Sequence, residues 1–354
     1  MKKSEKNILV APLNWGLGHA TRCIPIIREL EKNGFTPVLA SDGVALQILQ
    51  KEFPHLQALE LPSYDIEYAK NGADFKWKLI KNIPKMIDTI LSEKKIVKKW
   101  IQEYNLCGII SDNRLGVYNK EIPCVFMTHQ LNVLSGKTTW ISSQLHQHFI
   151  KKFTECWIPD LEKNSNLTGK LGHLKKHKLN LKYLGPLSRL EKKALPIQYD
   201  LMILLSGPET QRTYLEQKLK NEISLFGGKI LFVKGVLESE QKIEPEQNVT
   251  YYNFMTTQEI ETAINESEMV LCRSGYTTIM DLAKLGKKAF FIPTPGQFEQ
   301  EYLAKRLKRK NFVPYARQED FVIENLQEIK LYKGLPQVEK EIHWKQLFIL
   351  FEGK

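Results

Sequence analysis

Two apolar runs, each broken by a glycine turn and followed by a helix-spaced pattern, constrain this chain more than any other feature. The later one is Val270–Glu301, VLCRSGYTTIMDLAKLGKKAFFIPTPGQFEQE. It opens on Met269 to Cys272, which reads as a buried strand. Arg273-Ser274-Gly275 breaks that strand. Ile279, Leu282, Ala283 and Leu285 then recur at helical spacing, with Gly286 where a C-cap belongs. Ala289 to Ile292 is a second buried strand, ended by Pro293 and Pro295. The expected unit is strand, turn, helix, strand. Its turn leaves backbone N–H groups open at a helix N-terminus, which is an anion site. Gly275 lets a ligand come close to the backbone. Asp281 follows inside the helix, and Gln300 and Glu301 follow the second strand. In open parallel sheets ligands bind beyond the carboxyl ends of the strands, where these groups would converge. The plainer reading is a generic crossover carrying surface polar residues.

The earlier unit runs from Ile8 to Ala40. Ile8 to Ala11 is a strand, Asn14 to Arg22 a glycine-rich turn, Ile24, Ile26, Ile27 and Leu30 a helix, and Pro37 to Ala40 the next strand. Two such units far apart imply an α/β chain of two Rossmann-like domains facing each other across a cleft. The turn at Gly16 and Gly18 fits a dinucleotide fingerprint only in part. Its third glycine position is Thr21, although Asp42 lies where a ribose-binding acid would be. A purely structural turn is the second reading.

Together these segments resemble the family 28 glycosyltransferases. Arg-Ser-Gly, an acid six residues after the glycine, and a proline seven residues before Gln300 match the donor-binding half of that family. The resemblance implies the GT-B fold and a hexosyl transfer from a UDP-sugar, N-acetylglucosamine or another hexose. It implies that Arg273, Ser274 and Gly275 meet the pyrophosphate, that Thr278 belongs to the donor site, that Asp281 holds the ribose, and that Gln300 and Glu301 hold the sugar. The family usually has Glu and Gln-Gln where this chain has Asp281 and Gln300-Glu301, which leaves the sugar open. Arg212 stands five residues after Gly207, at the spacing of a family arginine that reaches donor phosphate. A cation in a first helical turn opposes the helix dipole, so an anion suits it better than water alone. Phe254 and Met255 fall where the family grips uracil. In the third reading of the N-terminal turn, Gly16 and Gly18 form an acceptor or phosphate loop and His19 faces the reacting centre as general base. Asp112 is the reserve. Asn113, His129 and Gln130, at the ends of two further strands, would help to bind the acceptor. The reaction so implied inverts the anomeric carbon. A nucleotide-sugar hydrolase or epimerase on the same fold is the alternative.

The domain limits follow. Residues 1–187 form the acceptor domain, closed by Gly185-Pro186, and 188–199 a charged linker. Residues 200–335 form the donor domain, and 336–354 a C-terminal helix returning to the first. The length of 354 residues suits two domains. A formal charge of +11 calls for an acidic partner: nucleic acid, an anionic membrane or phosphorylated substrates. No RNA-binding signature is present, and the lysines sit on amphipathic stretches rather than among stacking aromatics, so nucleic acid is not expected. Within the stretch from Phe75 to Tyr104, residues 76 to 99 carry eight lysines against Asp88 and Glu93, a net of +6, with Trp77 and Trp100 beside apolar faces. It reads either as solvated surface helices or as an element resting on an anionic membrane. Five cysteines without C-x-x-C spacing read as reduced thiols of a cytosolic protein. No signal peptide and no membrane-spanning run are expected, which places the chain in the cytoplasm or at the inner face of the membrane. No cofactor is expected. The pairs His146/His148 and His173/His177 lack surrounding carboxylates or thiols, and no D-x-D motif occurs, so no metal is expected either.

Overall fold

The computed structural model describes residues 6–64, 83–163, 166–207, 209–236, 238–337 and 342–353. Lys76, Trp77, Leu79 and Ile80 of the basic stretch, and Pro208 of the loop before Arg212, lie outside the described residues. The chain forms two compact units. Among the described residues one holds 6–64, 83–187 and 342–353, and the other holds 188–337.

The first unit is built on a seven-stranded parallel sheet: β1 (Asn7–Pro12), β2 (Thr36–Ser41), β3 (Ala58–Glu60), β4 (Leu106–Asp112), β5 (Cys124–Met127), β6 (Glu155–Ile158) and β7 (Leu181–Tyr183). The strand order is β3-β2-β1-β4-β5-β6-β7. Helices α1 (Leu17–Lys32), α2 (Gly43–Glu52), α3 (Ile83–Glu103) and α4 (Thr139–Ile150) belong to the same unit. The central strands are continuous apolar runs because parallel sheets are covered on both faces. Ile8, Leu9, Val10 and Ala11 of β1 are fully buried. The order reverses between β1 and β4, and the crevice at such a switch point is where doubly wound sheets bind ligands. The loop of Gly16 leaves β1 there, and Asp112 ends β4 there.

The second unit has the order β10-β11-β9-β8-β12-β13. Its strands are β8 (Tyr199–Leu204), β9 (Ile230–Val233), β10 (Ile243–Glu246), β11 (Val249–Tyr252), β12 (Ser267–Cys272) and β13 (Lys288–Phe291). Among the described residues of this unit only β10 and β11 pair antiparallel. Helices α5 (Glu209–Ile223), α6 (Thr257–Asn265), α7 (Tyr276–Leu285) and α8 (Phe298–Arg309) belong to it. Here the reversal lies between β8 and β12, so Arg212 and the turn at Gly275 both follow strands at the switch point.

The segment assigned to a linker is not a free tether at its start. The Lys193 N–H donates to Asn265 Oδ1 at 3.1 Å, and the Asn265 side chain donates to Glu191 O at 2.9 Å. Residues 188–193 therefore run along α6 within the second unit. At the other end of the chain, helix α9 (Trp344–Phe348) and the turn after it place Phe348 and Phe351 beside Phe35 and Trp157 of the first unit. Gly108 of β4 lies under that aromatic cluster, where a Cβ would meet the Phe351 ring at 2.2 Å.

Candidate active site

In the first unit the site is organised by a residue the sequence reading passed over. Arg22 lies one turn beyond His19 on α1 and is 2% exposed. Its Nε donates to Asp112 Oδ2 at 2.5 Å and its Nη2 to Oδ1, a bidentate pair inside the protein. Nη2 also lies 2.8 Å from His19 Nδ1, and Nη1 2.8 Å from His129 Nδ1. Three of the expected residues, His19, Asp112 and His129, are thus gathered around one guanidinium. Burial and the Arg22 charge hold the His19 imidazole below its ordinary pKa, with Asp112 opposing them. Burial works against the Asp112 carboxylate, but Arg22 and His19 outweigh it and hold Asp112 down to about 2. Asp112, the expected reserve base, is thus held as a carboxylate. A fully buried carboxylate saturated by Arg22 is a poor proton acceptor, and it is placed to orient His19 at 3.1 Å instead.

Gly16 has φ +75°, a conformation glycine adopts without strain, and no side chain caps the helix it opens. Half-buried Asn113 is itself left-handed at φ +60°, and the Gln130 N–H is held by Thr128 Oγ1 at 3.1 Å. Asp42, the acid of the dinucleotide reading, is committed elsewhere. It pairs with Arg114 and accepts from Asn14 Nδ2 at 3.0 Å, and Arg114 also donates to Glu93 Oε1 at 2.7 Å. Those bonds leave Asp42 tied into the fold rather than free for a ribose.

In the second unit the turn after β12 leads into α7 with Gly275 as N-cap and no side-chain cap. Gly275 has φ −69°, so backbone strain does not require glycine here. A Cβ would meet nothing nearer than Thr278 Oγ1 at 4.0 Å. The space before this helix N-terminus is open, as an approaching anion needs. Ser274 is buried and donates to Gln300 O at 2.9 Å. The Asp281 carboxylate accepts from Ser188 Oγ at 2.6 Å, a contact the sequence did not announce.

The remaining expected donor residues are placed less simply. Arg273, 1% exposed, donates to the carbonyls of Ile292 and Pro293 at 3.2 Å, to Gln211 O at 2.9 Å and to Gln318 Oε1 at 2.8 Å. Burial lowers it to about 9. The guanidinium ties the ends of β12 and β13 to the first turn of α5. Gln300 Oε1 accepts from the Thr294 N–H at 2.8 Å and Glu301 Oε1 from the Gly296 N–H at 3.1 Å. Both side chains brace the turn after β13, and Glu301 also lines a cavity of about 250 Å³ with Lys305, Tyr315 and Arg317. Arg212 donates to Gly235 O at 2.6 Å and pairs with Glu209. Phe254, at the expected uracil grip, is hydrogen-bonded within its own unit. Its N–H is taken by Asn253 Oδ1 at 3.0 Å and its carbonyl accepts from Gln241 Nε2 at 3.0 Å. Met255 beside it is half-buried. Among the described residues no three His, Cys, Asp or Glu side chains gather as metal ligands, and no helix is long and apolar enough to cross a membrane.

Residues 211–341 match the glycosyltransferase family 28 C-terminal domain. Over 323 residues, 87% of this chain and 84% of the relative, the sequence is 23% identical to a UDP-N-acetylglucosamine--N-acetylmuramyl-(pentapeptide) pyrophosphoryl-undecaprenol N-acetylglucosamine transferase of Haemophilus ducreyi. Among solved structures, Acinetobacter baumannii MurG superposes with a TM-score of 0.58 at 11% identity, covering 98% of this chain and 99% of that one. LpCGTa in complex with UDP superposes with a TM-score of 0.60 at 10% identity, covering 93% and 89%. At such identities the structural likeness shows the fold, which is GT-B.

Proposed function

We propose that this chain, a glycosyltransferase of the GT-B fold whose second unit carries a family 28 C-terminal domain, moves a hexose from a UDP-sugar to a hydroxyl of a lipid-linked cell-envelope acceptor, with inversion and without a metal. N-acetylglucosamine is the first candidate for the sugar, as in the Haemophilus relative's name. The observation that carries this reading is the end of β12, where an uncapped helix N-terminus, an open approach at Gly275 and the Asp281 carboxylate lie on one short helix. Such an N-terminus suits a pyrophosphate and such a carboxylate suits a ribose diol.

The acceptor hydroxyl attacks the anomeric carbon as the bond to UDP breaks. His19 takes the hydroxyl proton on Nε2. With its own proton on Nδ1 directed at Asp112, 3.1 Å away, Nε2 is free to accept. With the proton on Nε2 instead, Nδ1 accepts from Arg22 and the ring can only donate, so turnover uses the first form. Charge growing on UDP is met by the N–H groups of Ser274, Gly275 and Tyr276, and by Arg212 once it leaves Glu209. Fixed donors of this kind contribute about 3–4 kcal/mol each.

Wild-type protein should be stabilised by UDP and UDP-N-acetylglucosamine in a thermal-shift assay, by about 2.7 kcal/mol at one hundred times the dissociation constant. Asp281→Ala should lose most of that shift while the unliganded melting temperature barely moves. Absence of any shift in the wild type would remove the donor site.

The membrane reading rests on two helices of the first unit. On α3, Val97 and Trp100 are buried in the core, whereas Ile87 and Leu91 are 51% and 59% exposed. Glu93 turns inward to Arg114, so the exposed face keeps Lys94, Lys95, Lys98 and Lys99 with one fewer acid among them. On α4, Trp140, Ile141 and Leu145 are 73%, 61% and 59% exposed. Each lysine near an anionic surface contributes about 1 kcal/mol. Liposomes containing anionic lipid should therefore co-sediment the protein at ~0.1 M salt and release it near 1 M, where the Debye length falls to ~3 Å. Changing the four lysines to Glu should abolish sedimentation. Equal sedimentation of both proteins would take the lysines out of the proposal.

A further inference from the structure

The start of the supposed linker belongs to the donor site. Ser188 Oγ accepts from the Leu190 N–H at 3.0 Å. That bond fixes where the hydroxyl can aim its single proton. Its two acceptors in reach are Asp281 Oδ1 at 2.6 Å and Leu190 O at 3.5 Å, so the proton goes to Asp281. The next residue, Arg189, donates to Thr257 Oγ1 at 2.9 Å at the start of α6, and Leu190 is fully buried. Further along, the Glu191 N–H donates to Glu261 Oε2 at 2.7 Å. Ser188 is therefore held by its own segment and presents a fixed donor to one carboxylate oxygen, leaving Oδ2 for a ligand.

We propose that Ser188 is a positioning residue for ribonucleotide recognition: its hydroxyl holds the Asp281 carboxylate ionised and in the rotamer that receives the vicinal diol of a ribose. This rests on the reading of Asp281 as the ribose acceptor given above. A carboxylate in this half-buried place needs such help. Burial pushes Asp281 up to about 6, and only Arg189 and Ser188 pull it the other way. Below that pH the protonated acid donates where the diol needs an acceptor. Binding of a ribonucleotide should accordingly hold at pH 7.5 and fall as pH drops through about 6. Removing the Ser188 proton donor favours the neutral acid and moves that midpoint upward.

The test uses the full chain and two near-isosteric variants, Ser188→Thr and Ser188→Val, which differ by a hydroxyl against a methyl. Affinity for UDP and for 2′-deoxy-UDP is measured by calorimetry from pH 5 to pH 8. Ser188→Thr should follow the wild type. Ser188→Val should bind UDP roughly 10-fold more weakly at pH 7, the scale of a lost bond to a charged group. Its pH midpoint should rise, and its preference for UDP over 2′-deoxy-UDP should shrink, since the deoxy ligand makes less use of Asp281. A merely structural role for Ser188 would leave the midpoint and the preference unchanged, and that result would overturn the proposal. Wild-type protein that binds no UDP at any pH would instead sink the function itself, and this inference with it.

Discussion

Arg22→Ala should cost about 3–5 kcal/mol of folding stability at pH 7, the scale for removing one partner of a buried ion pair. The change strips Asp112 of its bidentate partner while the carboxylate stays fully buried, and it removes the guanidinium that His19 and His129 share. The deficit should depend on pH in a defined direction. In the wild type Asp112 is held down to about 2, below the ~3.9 of an unfolded chain. Its pairing therefore stabilises the fold above the unfolded value and is lost only as pH falls through about 2. In Arg22→Ala the carboxyl titrates higher and can become neutral in mild acid. The gap between the two proteins should thus be widest at neutral pH and narrow towards pH 4. Paired replacement, Arg22→Met with Asp112→Leu, should recover much of the loss because no bare charge remains. Urea unfolding at pH 7 and pH 4 measures all of this. A loss under about 1 kcal/mol at pH 7 would mean that solvent or another group relieves Asp112.

That network marks the limit of what the sequence could disclose. The strands of both sheets were legible because parallel strands covered on both faces are short apolar runs ending in polar clusters, as at β1, β4, β5 and β12. The positions of His19, Asp112 and Gly275 beyond strand ends followed from the same pattern. Strand β10 was not legible: all its residues are exposed, it contains Pro245, and it sits at an edge where no buried face imposes alternation. Helix α6 did carry a signal, the Thr256–Glu259 capping box, which closes in the structure.

Side-chain direction was less legible than position. Spacing put Arg273 beside the anion turn, but not that its guanidinium would turn inward onto carbonyls. Arg22 stood between apolar residues of α1, where a cation needs a buried anion, yet that anion is 90 positions away. Ser188 looked like a charged linker's first residue because its partner, Asp281, is 93 positions away. Long-range pairing of this kind leaves no local periodicity to read.

His19→Ala should lower turnover at least ~100-fold, the usual scale for a lost general base. Turnover is read as UDP release from UDP-N-acetylglucosamine in the presence of the lipid-linked acceptor. Affinity for UDP should not change, because His19 belongs to the first unit and the groups proposed for the donor to the second. The pH profile gives a second, independent readout. Burial and Arg22 lower the His19 pKa, so the wild-type rate should stay level until pH falls below the ordinary imidazole value near 6.5 and then decline. The residual rate of His19→Ala should lack that decline. Asp112→Asn separates orientation from proton transfer: it keeps the shape but removes the charge and one of the two acceptor oxygens that serve Arg22 and the Nδ1 proton. It should lower turnover while leaving UDP affinity intact. Retention of more than roughly a tenth of the wild-type rate by His19→Ala would move the base elsewhere. Asp112, bound on both oxygens by Arg22, is not the group that would then replace it.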